Sequence, residues 1–290
     1  MMKYVTKIKA KMNIHSSRKS TMLFDGSYKS VYSGNGFDFE NLREYIPGDN
    51  VRDIDWKASS RSRNILVKRY IAERKHNVLL VFDAGKKMEA DSLMHQKKKE
   101  VALYAGGTLG YLAGKNGDQI GGLYCAGGMV SYYPLRPGLN HLEHILTMYD
   151  RQELAGGNEG LEKSLSYVVK NINKRMIVLV ITDEAGVHSI SEDTLKKVTC
   201  MNDVLFVTVS DVMLTDGTSY HMEKECYLPD YISGNKKLKK IEQETRQRVL
   251  AENEQKLTKY GIVSTQVHSE DDLGDKITEL LERHRYASKC

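Results

Sequence analysis

Two aspartates stand where an α/β protein keeps its chemistry. VLLVF (78–82) and MIVLVIT (176–182) are continuous apolar runs, and each ends on a carboxylate, Asp83 and Asp183. Such runs read as strands buried on both faces of a parallel sheet. Sites in open sheets of this kind form at the carboxyl ends of the strands. If the two strands are neighbours, the carboxylates converge and repel, so a positive group must lie between them. A divalent cation with about six oxygen ligands is one solution. The plainer reading is that each aspartate caps the helix after it. The residues after Asp83 complicate a metal: Gly85 has no side chain, and the ammonium groups of Lys86 and Lys87 donate but hold no lone pair.

Other patterns are weaker. GYLAGK (110–115) has the wrong glycine spacing for a phosphate-binding loop, and Asn116 stands where Ser or Thr is needed. AGGTLG (105–110) reads as a helix with small residues for close packing. HLEH (141–144) lacks the spacing of zinc peptidase helices. The KKLKK run (236–240) reads as a solvated helix start.

The elements that must position the aspartates follow from periodicity. NILVKRYIA (64–72) reads as a strand. A helix over 92–113 carries Met94, Val101, Ala105, Leu109 and Leu112, with Gly114 placed to end it. QIGGLYC and MVSYY form a strand pair across a glycine turn. Helices are expected near 139–149, 160–172 and 191–200, and VLFVTVS is a third buried strand, ending on Asp211. The helix after Lys236 presents Leu238, Ile241, Thr245 and Val249 on one face. IVSTQVH and a helix near 270–285 close the chain. This alternation implies a doubly wound, mostly parallel sheet covered by helices. The division expected is an N-terminal extension over 1–76 and an α/β domain over 77–290.

The 290 residues are 40% hydrophobic and 28% charged, with net charge +5, too weak a balance to argue for nucleic acid. Cys125, Cys200, Cys226 and Cys290 lack metal spacing and read as reduced thiols of a cytoplasmic protein. The basic start has no signal-peptide apolar segment, and no run is long enough for a membrane span, so no membrane insertion is expected.

The segment FDFENLREYIPGDNVRDIDWKASSRSRNILVKRY carries LREY, PGD, VR, IDW, AS and VK in register, and with the strand ending at Asp83 it resembles the DUF58 family. The likeness runs from about Gly26 to the last helix and is loose over 212–235. It implies a von Willebrand factor A (vWA)-like, Rossmann-type six-stranded sheet with a charged β-rich N-terminal extension. It further implies a protein-binding adaptor without enzymatic activity, working with a MoxR-type AAA+ ATPase in assembling other proteins. The vWA likeness also implies a metal site with two aspartates, two serines and a threonine. Here the aspartates match Asp83 and Asp183, the serines match Gly85 and Lys87, and the threonine falls on Asn158 or Glu159. The site is therefore expected to be vestigial and without a cofactor, Mg²⁺ being the ion if one is still held. The ammonium of Lys87, or of Lys86, takes the ion's place. The alternative is a divalent-metal-dependent enzyme of phosphate chemistry using Asp83 and Asp183.

In the signature segment Arg43, Asp49, Arg52, Asp53, Asp55, Lys57 and Arg61 alternate with Tyr45, Ile54 and Trp56. Interleaved opposite charges satisfy one another, which favours a structural ion-pair network. A docking surface is the alternative, since arginine and aromatic residues are enriched at interface cores.

Overall fold

The structure, a computed structural model, describes residues 2–15, 38–62, 64–71, 75–215, 220–221, 226–227 and 235–287. The start of the likeness near Gly26 and the thiol of Cys290 lie outside the described residues. Cys125 and Cys200 are free thiols. Two units form: residues 32–75, and the remainder of the chain.

In chain order the elements are α1 (Tyr4–His15), β1 (Asp38–Glu44), the short α2 (Trp56–Ser59), β2 (Leu66–Ile71), β3 (Asn77–Asp83) and α3 (Lys98–Lys115). There follow β4 (Gln119–Ala126), β5 (Met129–Pro137), α4 (Leu139–Arg151), α5 (Glu159–Asn171), β6 (Ile177–Asp183) and α6 (Glu184–Ser189). The last are α7 (Glu192–Met201), β7 (Asp203–Val209), the two-residue strands β8 (Tyr220–His221) and β9 (Cys226–Tyr227), α8 (Lys236–Lys259), β10 (Val263–Val267) and α9 (Leu273–Ala287).

The larger unit is a six-stranded sheet of order β10-β7-β6-β3-β4-β5, parallel except for β5. Parallel neighbours require crossovers, and α3, α7 and α8 supply them. The β4–β5 hairpin turns on Gly127 and Gly128, both at positive φ (56° and 84°), as a two-residue turn matched to strand twist requires. From β3 the chain proceeds to β4 and β5 on one side, then returns to lay β6, β7 and β10 on the other. The order therefore reverses between β3 and β6, and that reversal opens a crevice at their carboxyl ends.

Helix α3 lies close on the sheet because it is poor in side-chain bulk. A Cβ on Gly106 would come within 2.5 Å of the Phe82 ring, and one on Gly110 within 2.6 Å of Leu142. This is the close-packing role expected for the small residues of AGGTLG.

Two expectations are corrected. Helix α1, placed by sequence in the N-terminal extension, packs on the α/β unit, with Tyr4, Val5 and Ile8 buried. Its first turn is held by Glu143, whose carboxylate accepts from the backbone N–H groups of Lys3, Tyr4 and Val5 at 2.6–2.9 Å. In α8 the expected apolar face is not the packed one: Ile241 is 57% exposed, while Asn253 and Leu257 are buried. Polar partners explain the difference, since Arg246 and Asn253 bond to Glu184 and Glu242 accepts from Leu214 and Thr215.

The smaller unit is an antiparallel pair, β1 with β2, and the segment between them. Asn50 caps a 3-10 turn over Val51–Asp53, and Asp55 caps α2 by accepting from the Ala58 N–H at 3.0 Å.

Candidate functional site

The register of β3 and β6 pairs Phe82 with Ile181, so Asp83 emerges beside Thr182 and Asp183. Both aspartates are buried, each 1% exposed. Asp83 does not cap a helix: its Oδ1 accepts from the Gly85 N–H at 3.0 Å, and its Oδ2 accepts from the Thr182 hydroxyl at 2.6 Å. Asp183 does cap, its Oδ1 accepting from the Gly186 N–H at the start of α6 at 2.8 Å.

A 3-10 turn over Lys86–Glu89 follows β3 directly after Gly85. Lys86 stays exposed. Lys87 turns inward, and its Nζ lies 3.0 Å from Asp83 Oδ2 and 2.8 Å from Asp183 Oδ1. The two contacts are ion pairs rather than aligned hydrogen bonds. Gly186 makes the space: a Cβ there would overlap the Thr182 hydroxyl and come within 2.8 Å of Lys87 Nζ.

A second ammonium completes the arrangement. Lys98, the first residue of α3, is 2% exposed, and its Nζ bonds to Asp183 Oδ2 at 2.7 Å and to Asp211 Oδ1. A cation at a helix N-terminus opposes the helix dipole, a cost that only nearby carboxylates offset. The result is an alternating row, Asp83–Lys87–Asp183–Lys98–Asp211. Burial alone would raise the pKa of Asp183, but the pull of Lys98 and Lys87 outweighs it and holds the carboxyl below its ordinary value. Burial likewise disfavours the charged form of Lys98, yet Asp183 and Asp211 raise its pKa above the usual lysine value. Asp211 is raised, first by burial and further by repulsion from Asp183. Beside the row, Glu184 is raised by burial, against the pull of Arg246 at 2.6 Å.

As arranged, the four carboxylate oxygens of Asp83 and Asp183 are each engaged by an N–H, a hydroxyl or an ammonium. Gly85 adds no oxygen. Asn158 is exposed, and no hydrogen bond joins its side chain to either aspartate among the described residues. These residues do not offer the open set of oxygens that a hard cation requires. Among the described residues no group of three or more His, Cys, Asp or Glu is placed to hold a metal ion. The two ammonium groups together carry +2, the formal charge of one divalent ion. HLEH divides its roles: His141 bonds to the Pro134 carbonyl at 2.8 Å, His144 stands edge-on to Tyr133, and Glu143 holds α1.

Sequence reasoning reached Asp83, Asp183 and Lys87 but missed Lys98, Thr182 and Gly186, and gave Asp211 no role. The signal for Lys98 was its spacing: 98, 101, 105 and 109 form one stripe of the helix, so the middle lysine of KKK faces inward.

In the smaller unit the charged residues separate into two groups. Arg43 grips Asp49 through both nitrogens, at 2.7 and 2.5 Å, and Asp49 also accepts from the Ile46 N–H. Asp55 caps α2 and lies 3.6 Å from Lys68. Tyr45 is half-buried, its N–H bonded to the Ile65 carbonyl. Arg52 and Arg61 are exposed, and neither makes an ion pair among the described residues. Trp56 is 63% exposed. Ion pairs thus engage Arg43, Asp49 and Asp55, and none among the described residues engages Arg52 or Arg61.

A mostly parallel six-stranded sheet with carboxylates at its switch point defines a doubly wound α/β protein. The chain belongs to the family described as Protein of unknown function DUF58, which matches residues 41–263. It is 26% identical over 190 residues to Uncharacterized protein Rv1480 of Mycobacterium tuberculosis, covering 64% of this chain and 59% of that protein. Over 106 residues it is 28% identical to Uncharacterized protein YeaD of Bacillus subtilis, covering 37% of this chain and 24% of that protein. The chain thus spans less than two thirds of the length of these relatives. Similar solved structures include BatB from Bacteroides thetaiotaomicron, with TM-score 0.47 and 13% identity over 73% of this chain and 99% of that one. Another is a von Willebrand factor type A protein from Catenulispora acidiphila, with TM-score 0.41 and 12% identity over 76% of this chain and 44% of that one. No described helix is long and apolar enough to cross a membrane.

Proposed function

We propose that this protein is a non-enzymatic, protein-binding adaptor of the cytoplasm in which Lys87 stands where a vWA-type domain holds its metal ion. The observation that supports this reading is the Lys87 ammonium, 3.0 Å from Asp83 and 2.8 Å from Asp183, inside the crevice of the switch point. A close carboxylate pair needs compensation, and here the chain supplies it from its own residues. The shape of the crevice is then independent of any ion. The partner proposed is a MoxR-type AAA+ ATPase, which the likeness to DUF58 proteins suggests. The alternative, a metal-dependent enzyme acting on phosphates, needs lone pairs that Lys87 and Lys98 now engage.

The test is capture of partners by the tagged protein from its own cells, once with Mg²⁺ and once with EDTA. The ATPase recovered equally in both supports a metal-free adaptor. Capture lost in EDTA, with the nucleotide dependence of the ATPase controlled for, means that Asp83 and Asp183 still hold an ion. Phosphate-ester turnover by the pure protein, abolished in Asp83→Asn, would establish the enzyme instead.

A further inference from the structure

We infer that residues 46–65 form a docking surface for an acidic face of another protein. Four of the ten exposed large apolar side chains among the described residues lie in this short stretch: Ile46 (61%), Val51 (60%), Trp56 (63%) and Ile65 (46%). Scattered exposed apolar residues are normal, whereas clustered ones mark interaction sites. Backbone hydrogen bonds bring the segments of Ile46, Trp56 and Ile65 side by side. The Tyr45 N–H bonds to the Ile65 carbonyl and the Asp55 N–H to the Leu66 carbonyl, both at 2.9 Å, so Ile46 and Trp56 flank Ile65. The Asp49 N–H bonds to the Ile46 carbonyl, and Val51 starts the turn that leads to Ile54, which is itself buried.

The charge around this patch identifies the occupant. Asp49 is taken by Arg43, and Asp55 by α2 and Lys68. Glu44 accepts from Asn64. Arg52, Lys57 and Arg61 are exposed and make no ion pair among the described residues, against two carboxylates without a cationic partner there, the half-buried Asp53 and the exposed Glu44. Ion pairs thus take up Asp49 and Asp55 and leave three cations against two carboxylates around an apolar centre with a tryptophan in it. Tryptophan and arginine are the residues that dominate interface energetics, and a cationic rim selects an acidic partner. The inference concerns a surface separate from the lysine-filled crevice and does not require that the partner be an ATPase.

The test uses the full chain in its own cells with a photo-crosslinking residue, Trp56→p-benzoylphenylalanine. The control carries it at Met129, which is 78% exposed in the other unit. The expected result is a discrete protein adduct from position 56 that is absent from position 129. Its cross-linked peptide is rich in Asp and Glu. The adduct falls tenfold or more in Arg52→Glu/Arg61→Glu, and in the milder Arg52→Gln/Arg61→Gln should charge reversal impair folding. An adduct with a protein other than an AAA+ ATPase supports the docking surface and removes the ATPase from the functional reading. No adduct, one undiminished by either double substitution, one with a second copy of this chain, or one sensitive to nuclease would overturn the inference.

Discussion

Lys98→Met removes one ammonium from the buried row and keeps most of the side-chain volume. Lys98 and Asp183 are 2% and 1% exposed, and their N···O distance is 2.7 Å. At an effective dielectric constant of about 20, a pair this close attracts by roughly 6 kcal/mol before desolvation is subtracted. Removing one partner of a buried pair costs about 3–5 kcal/mol, because the other charge stays behind unpaired. The lower end applies here. Asp183 keeps Lys87 at 2.8 Å, and the Asp211 side chain is 35% exposed and reaches water. A loss of about 3 kcal/mol at roughly 2–4 °C per kcal/mol lowers Tm by about 6–12 °C. The assay is thermal unfolding at neutral pH of Lys98→Met, Asp211→Asn and the double variant. The double variant should recover part of the loss, because the stranded carboxylate is gone, giving a clear coupling in the cycle. A loss below about 1 kcal/mol with no coupling would refute the reasoning, since that is the behaviour of a solvated surface pair.

Further outcomes follow from the same geometry. The folded-state pKa of Lys98 is raised, so its contribution is full below the ordinary lysine value and is lost as pH rises through the folded value. Unfolding at alkaline pH should therefore show a loss of stability that Lys98→Met lacks. Asp183 has the opposite sign: its pKa is depressed, so its contribution persists through the ordinary carboxylate range and is lost only as pH falls below it. Asp183→Asn should flatten the acid limb of the stability profile. Gly186→Ala places a methyl against Thr182 and Lys87 and should cost about 1–3 kcal/mol by overpacking, measured by denaturant titration. Glu143→Ala removes the acceptor of the first two α1 amides and of the Lys3 amide before them. It should speed hydrogen exchange in residues 4–15, at a cost of about 1–2 kcal/mol to that helix.

What was legible in the sequence follows from how each part is stabilised. VLLVF and MIVLVIT announce themselves because strands buried on both faces cannot alternate, and their terminal aspartates fix the site. Periodicity fails where polar groups face inward. Arg246 and Asn253 hold α8 through hydrogen bonds to Glu184, so the stripe of Leu238 and Ile241 pointed the wrong way. Lys98 was hidden by its lysine neighbours, since composition suggests a solvated helix start and only the phase of the helix shows the burial. Helix α1 reads as a basic tail, yet Tyr4, Val5 and Ile8 suffice to dock it once Glu143 receives its first amides. The alternating charges of the signature segment suggested mutual pairing. Which of them pair depends on the turn at Pro47–Gly48 and on the α2 cap, and both commit aspartates while leaving Arg52 and Arg61 free of ion pairs among the described residues.

The most direct test of the lysine-for-metal reading is a calorimetric titration of the unmodified protein and of Lys87→Ser/Gly85→Ser with Mn²⁺. The account predicts no saturable binding by the unmodified protein, because Lys87 engages the carboxylates of Asp83 and Asp183. It predicts binding by the double variant, where two hydroxyls replace a glycine and an ammonium. Saturable micromolar binding by the unmodified protein, lost in Asp83→Asn, would contradict it.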